Sequence, residues 1–169
     1  MSAGSKRFPA FEAMPTALMD IQIKSFDSLD TSELYAMLRL RSAIFVVEQD
    51  CVYQDIDNLD QRAMHLLGTK DGTLLGYTRI FRPGELFDRA AIGRVVVDSD
   101  HRGKSYGKRI MEASLAWIRE AFPTAGIEIS AQAHLISFYS DLGFEPVGEG
   151  YLEDGIPHIR MLGTRQEGK

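Results

Sequence analysis

Three consecutive valines, Val95-Val96-Val97, run without a break into Asp98-Ser99-Asp100-His101-Arg102-Gly103-Lys104-Ser105-Tyr106-Gly107-Lys108-Arg109. A continuous apolar run of this kind belongs to a strand covered on both faces, as in sheets flanked by helices. From Lys104 to Phe122 the residues Tyr106, Ile110, Met111, Leu115, Ile118 and Phe122 recur at helical spacing, and Pro123 stops the pattern. Buried strand, polar turn and amphipathic helix in direct succession commit the chain to an α/β architecture.

The remaining segments fit that class. Ile21, Ile23 and Phe26 suggest a short strand with one apolar face. Asp30-Thr31-Ser32-Glu33 supplies N-cap chemistry for a helix carrying Leu34, Leu38, Ala43 and Phe45-Val46 and ending near Glu48. Residues 49–63 are polar and aperiodic, which predicts a loop. Asp71-Gly72 and Asp154-Gly155 each stand between apolar runs and predict two hairpins. Ile127 to Ala131 reads as a strand, and Leu135 to Leu142 as a short helix closed by Gly143. The predicted fold is a mixed central sheet of about six to seven strands flanked by helices. At 169 residues the chain has room for one domain, expected over 20–165 behind a flexible tail at 1–19.

Charge and cysteine content remove several function classes. The balance is 19 Lys plus Arg against 24 Asp plus Glu, without the global positive charge of a nucleic-acid binder. The single cysteine, Cys51, excludes an internal disulfide framework and a four-thiolate metal site. The longest clean apolar run, Ile44 to Val47, falls far short of the ~20 residues of a membrane span. No N-terminal stretch reads as a signal peptide, so a cytoplasmic location is expected, with neither nucleic acid nor membrane as partner. His65, His134 and His158 are too scattered in sequence to argue a metal cluster, and no metal is expected.

The loop after the valines carries glycines at 103 and 107 and cations at 102, 104, 108 and 109. The first turn of a helix leaves N–H groups unpaired and carries partial positive charge, and glycine lets a ligand approach that backbone. Together these make a diphosphate site; the same pattern also serves as a solvated basic helix start. About thirty residues later stands Ser137-Phe138-Tyr139-Ser140-Asp141-Leu142-Gly143-Phe144. The two segments together resemble the GNAT acyltransferase superfamily. Arg102 and Gly107 match its strand-to-helix motif, with Ser105 where a central glycine is usual. Phe138, Tyr139, Gly143 and Phe144 match its second motif.

The ElaA-like branch of that superfamily is a closer match. Leu40-Arg41, Phe45-Val46-Val47-Glu48-Gln49, Tyr53-Gln54-Asp55-Ile56-Asp57, Ile92-Gly93-Arg94-Val95, Ala131-Gln132-Ala133-His134-Leu135 and Glu153-Asp154-Gly155-Ile156-Pro157-His158 resemble it in order. The resemblance implies acetyl-CoA as donor and an amine, on a small molecule or a peptide, as acceptor. It further implies that Val95, Val96 and Val97 pair with the pantetheine arm. Arg102, Gly103, Lys104, Ser105, Tyr106, Gly107 and Lys108 would hold the pyrophosphate, with Gln132 and Phe138 nearby. Tyr139 would sit near the thioester sulfur, and His158 would line the acceptor pocket.

Attack by an amine of pKa near 10.4 requires a proton to leave, at roughly 4 to 5 kcal/mol at neutral pH. Glu48 is the first base candidate, and His134 a second group whose intrinsic pKa suits a relay. Glu48, Asp50, Asp55, Asp57 and Asp60 crowd residues 48–60 with no Lys or Arg among them. They suit attraction of a cationic acceptor, with Asp55 and Asp57 as contacts, and equally suit a solvated loop in which Asp forms turns. Arg94 needs a partner in a central strand, and a loop acid would supply it. Two other readings stay open: a CoA-binding module without catalysis, and an acyl-homoserine-lactone-type synthase, which the segment from Arg41 to Glu48 weakly resembles. The oligomeric state, a homodimer included, is also open.

Overall fold

The computed structural model describes residues 18–163. Seven strands, β1 (Asp20–Ser25), β2 (Met64–Lys70), β3 (Thr73–Phe81), β4 (Ala90–Val97), β5 (Ile127–Gln132), β6 (Phe144–Glu153) and β7 (Ile156–Gly163), form one sheet. Their spatial order is β1-β2-β3-β4-β5-β7-β6. All neighbours are antiparallel except β4 and β5, which run parallel and pair only at Ala90↔Ile127 and Ala91↔Glu128. Beyond Ala91 the two strands part, and this opening governs the rest of the structure.

Helix α1 (Thr31–Arg41) begins with the expected cap. Asp30 accepts from the Glu33 N–H at 2.8 Å, and Glu33 accepts from the Asp30 N–H at 3.0 Å, a reciprocal capping box. The helical path continues to Glu48 as a wider π-helical turn over Ser42–Glu48. Helix α2 (Tyr106–Ala121) lies on the other sheet face and buries Ile110, Met111, Leu115 and Ile118. Helix α3 (Ile136–Ser140) follows a 3-10 turn at Ala133–Leu135.

The valine run explains itself at this level. Val96 packs with Met37, Leu40, Ile44, Phe45 and Tyr77 on the α1 face, while Val95 and Val97 pack on the α2 face. Alternate side chains of one strand therefore feed two cores, which is why no polar residue interrupts them. Both expected hairpins have left-handed turn residues, Asp71 (φ 51°) with Gly72 (φ 76°) and Asp154 (φ 49°) with Gly155 (φ 78°). Of the tail expected at 1–19, residues 1–17 lie outside the described residues. Met19 is buried, and a Cβ at Gly68 would lie 2.6 Å from its sulfur, so the glycine makes room for it.

Candidate active site

The parting of β4 from β5 opens a cleft of about 900 Å³. It is lined by Val95, Val96 and Val97 on one side, by Ser130 and Gln132 of β5 on the other, and by Glu48, Arg102, His134, Tyr139, Glu153 and His158. The opening has a local cause. Arg94 adopts φ 49°, a left-handed conformation that a side-chain-bearing residue rarely takes. The β3–β4 register slips between Tyr77 and Arg79 at the same level. A bulge of this kind bends the strand and increases its twist. The edge of β4 beyond Ala91 consequently faces the cleft rather than a neighbouring strand, and its backbone groups are free for an extended ligand.

At the far end of β4 the chain turns into α2 through Gly103 (φ 75°) and Ser105 (φ 60°). Ser105 occupies the N-cap position but its side chain does not cap the helix. The first N–H groups of a 16-residue helix therefore have no side-chain acceptor, and the helix dipole adds positive potential there. A Cβ at Gly103 would meet nothing within 4 Å, so the backbone is open to a ligand. Arg102 is half exposed at the cleft mouth and holds Glu48 at 2.6 Å.

Along one wall of the cleft lies an ion network that ties the 49–63 loop to the sheet. Arg41, fully buried, donates from Nε to Asp55 Oδ2 at 3.0 Å and from Nη1 to Asp60 Oδ1 at 2.8 Å. Arg79 donates to both oxygens of Asp57 at 2.8 Å and to Asp60 at 2.9 Å. Arg94 donates from Nε to Asp55 Oδ1 at 2.7 Å, and its guanidinium lies 5.6 Å from the Tyr53 ring centre. Burial alone would raise the Asp57 carboxyl, but the hydrogen bonds and charge of Arg79 hold it down at about 2. The Asp60 carboxyl is lowered in the same way: Arg41 and Arg79 outweigh burial. The Asp60 carbonyl can only accept, so His65 Nε2 donates to it at 2.9 Å, and His65 Nδ1 accepts from the Tyr77 hydroxyl at 2.8 Å. Burial lowers the pKa of this ring and keeps it neutral.

The structure gathers most of the predicted residues, but it ties the carboxylates of both Asp55 and Asp57 to arginines. Glu48, Asp57, Arg102, Gln132, His134, Tyr139, His158 and the three valines line the cleft. Gly103, Lys104, Ser105, Tyr106, Gly107 and Lys108 form the adjoining loop and helix start, and the Phe138 ring lies against the Cα of Gly107. Asp55, expected to contact the acceptor, is 6% exposed, with both oxygens taken by Tyr53, Arg41 and Arg94. A carboxylate flanked by two arginines is a clamp, not a free acceptor contact.

A family model described as an acetyltransferase (GNAT) domain matches residues 35–164. The chain belongs to the GNAT acetyltransferase family. It is 45% identical to the protein ElaA of Escherichia coli over 135 residues, 79% of this chain and 88% of that one. A crystal structure of E. coli ElaA superposes with a TM-score of 0.82 at 41% identity, covering 87% of this chain and all of that one. An acyl-CoA N-acyltransferase from Pseudomonas aeruginosa gives the same TM-score at 42% identity, covering 86% of this chain and 99% of that one.

In this GNAT enzyme, several cleft residues went unforeseen. Glu128 and Ser130 of β5 and Glu153 at the end of β6 line the wall across from β4. Glu128 is buried and accepts from Arg160 at 2.6 and 2.9 Å. Ser130 donates to Glu153 at 2.8 Å. The alternation of β5 places residues 128, 130 and 132 on one face, a signal that was present but carried no chemistry without the fold. Tyr139 is buried, its hydroxyl has no hydrogen-bond partner among the described residues, and burial raises its pKa to about 12.

Proposed function

We propose that the protein transfers an acetyl group from acetyl-CoA to the primary amine of a small cationic or lysine-like acceptor by direct attack. The supporting observation is the continuity of three features: the free edge of β4, the uncapped start of α2 beside Arg102, and Tyr139 in the wall between them. The donor's diphosphate suits the N–H groups and cations of 102–108, and its pantetheine amides suit the free edge of Val95–Val97. Acceptor charge is favoured by Glu48 and Glu153, both more than a third exposed along the cleft.

The acceptor nitrogen attacks the thioester carbonyl; an N–C bond forms, the C–S bond breaks, and the thiolate departs. The nitrogen's proton leaves to Glu48 directly or through water, with His134, exposed at the cleft, as the relay. With its pKa near 12, Tyr139 gives up its proton to a thiolate of pKa about 8.5 only at a cost of about 5 kcal/mol. It therefore donates a hydrogen bond to the sulfur rather than a proton.

A thiol-release screen with acetyl-CoA over polyamines, aminoglycosides, amino acids and peptides tests this reading. Thiol release with a matching gain of one acetyl group on the acceptor is expected. Saturable CoA binding with no transfer to any amine would replace it with a non-catalytic CoA-binding module.

A further inference from the structure

Arg94 carries donors that the fold does not use. Its Nε is spent on Asp55 Oδ1, and its Nη2 on the Asp55 carbonyl at 3.3 Å and Asp57 Oδ2 at 3.4 Å. Its Nη1, with two N–H groups, has no hydrogen-bond partner among the described residues. The side chain is 20% exposed and lines the cleft. Every carboxylate oxygen of Asp55 and Asp57 already accepts from an arginine.

The other cleft-lining arginines are committed elsewhere. Arg79 is buried, with Nη1 and Nη2 engaged by Asp57 and Asp60. Arg102 lies at the mouth beside the start of α2, paired with Glu48. Arg94 is thus a fixed cation at the strand bulge, held by three hydrogen bonds and the Tyr53 ring, with one unpaired amino group on a side chain that lines the cleft. A group immobilised in advance loses little conformational freedom when a ligand docks. Across the gap, Glu153 offers a carboxylate of the opposite sign.

We propose that Arg94 Nη1 binds a carboxylate of the acceptor, so that the acceptor is a zwitterionic, amino-acid-like molecule with its reacting amine and its carboxylate on one small skeleton. The inference rests on the transferase reading and narrows its substrate class. A charge-assisted bond from an oriented guanidinium to a carboxylate is the strong kind, and a neutral amide in its place forfeits the charge.

The test compares a pool of α-amino acids with a pool of the matching α-amino amides in the thiol-release assay. The acids are expected to exceed the amides by about tenfold in kcat/KM, the worth of one charge-assisted hydrogen bond. Arg94→Gln brings the ratio near unity, Arg94→Lys leaves it intermediate, and calorimetric CoA affinity stays close to wild type in both, showing that the cleft still forms. Equal use of both pools by the wild type, or an unchanged ratio in Arg94→Gln, overturns the proposal. The same pools are titrated into ¹⁵N-labelled protein, where the acids shift the Arg94 and Asp57 backbone signals and the amides do not. This arm reads the carboxylate site even if no acetyl group moves, so failure of the transferase reading and failure of the carboxylate site are told apart.

Discussion

Replacing Asp55 by Asn removes one negative charge from a group of three arginines and three aspartates and leaves its shape unchanged. Asp55 is 6% exposed and its oxygens receive three donors: Tyr53 at 3.0 Å, Arg94 at 2.7 Å and Arg41 at 3.0 Å. An asparagine keeps one acceptor oxygen, and its amino group must face a guanidinium donor whichever way it is turned. Arg41, with no exposed surface, keeps only Asp60 as an anionic partner. Breaking a buried pair by removing one partner costs about 3 to 5 kcal/mol, and the partial exposure of Arg94 puts this case near the lower end, about 3. For a domain of this size that lowers Tm by about 6 to 12 °C. The assay is a calorimetric or circular-dichroism melt beside a Glu112→Gln control. That control removes an exposed contact to Lys108 at 3.8 Å, which contributes under about 0.5 kcal/mol. A shift under about 2 °C for Asp55→Asn would refute the reading of the loop as an electrostatic clamp.

Three other outcomes follow from the same geometry. Tyr139→Phe lowers kcat about tenfold, the worth of a hydrogen bond to a developing thiolate, with calorimetric CoA affinity unchanged; equal turnover would remove the tyrosine from the chemistry. Glu48→Gln tightens CoA binding about twofold to fivefold, because Glu48 holds Arg102 at 2.6 Å in a half-exposed pair worth under about 1 kcal/mol, while the same variant loses the acidic limb of the pH–rate profile. Weaker CoA binding in that variant would show that the pair shapes the donor site rather than competing for it. Asp57 and Asp60 have depressed carboxyl pKa values, so their contribution is complete above the unfolded-state value of about 3.9 and is lost as pH falls from about 5 toward 2. Melting temperature is expected to fall steeply across that window and to fall less steeply there in Asp57→Asn.

What the sequence made legible was local. The capping box at Asp30 and Glu33, the two Asp-Gly turns and the valine strand are set by neighbours within a few residues, and each appears where the pattern put it. The glycine-and-cation loop was equally local. Strand order was not local: β7 inserts between β5 and β6, a placement decided by which hairpin strand fills the gap beside β5.

The acidic stretch at 48–60 shows why the candidate site was only partly readable. In sequence it has five acids and no cation, which suggests a negative surface waiting for a cationic partner. Folding brings Arg41 from 14 residues before Asp55, and Arg79 and Arg94 from 22 and 37 residues beyond Asp57. Three of the five charges are spent there, and a fourth, Glu48, is engaged by Arg102. The stretch therefore carries far less unpaired charge than its sequence suggests. It acts by fixing Arg94 at the bulge, in a backbone conformation costing of order 1 to 3 kcal/mol that only a strong local clamp would hold. The same clamp holds Arg94, with its unpaired Nη1, in the wall of the cleft. An acid count read along the chain predicts an attractive patch; the folded pairing turns those acids into the support for a cation.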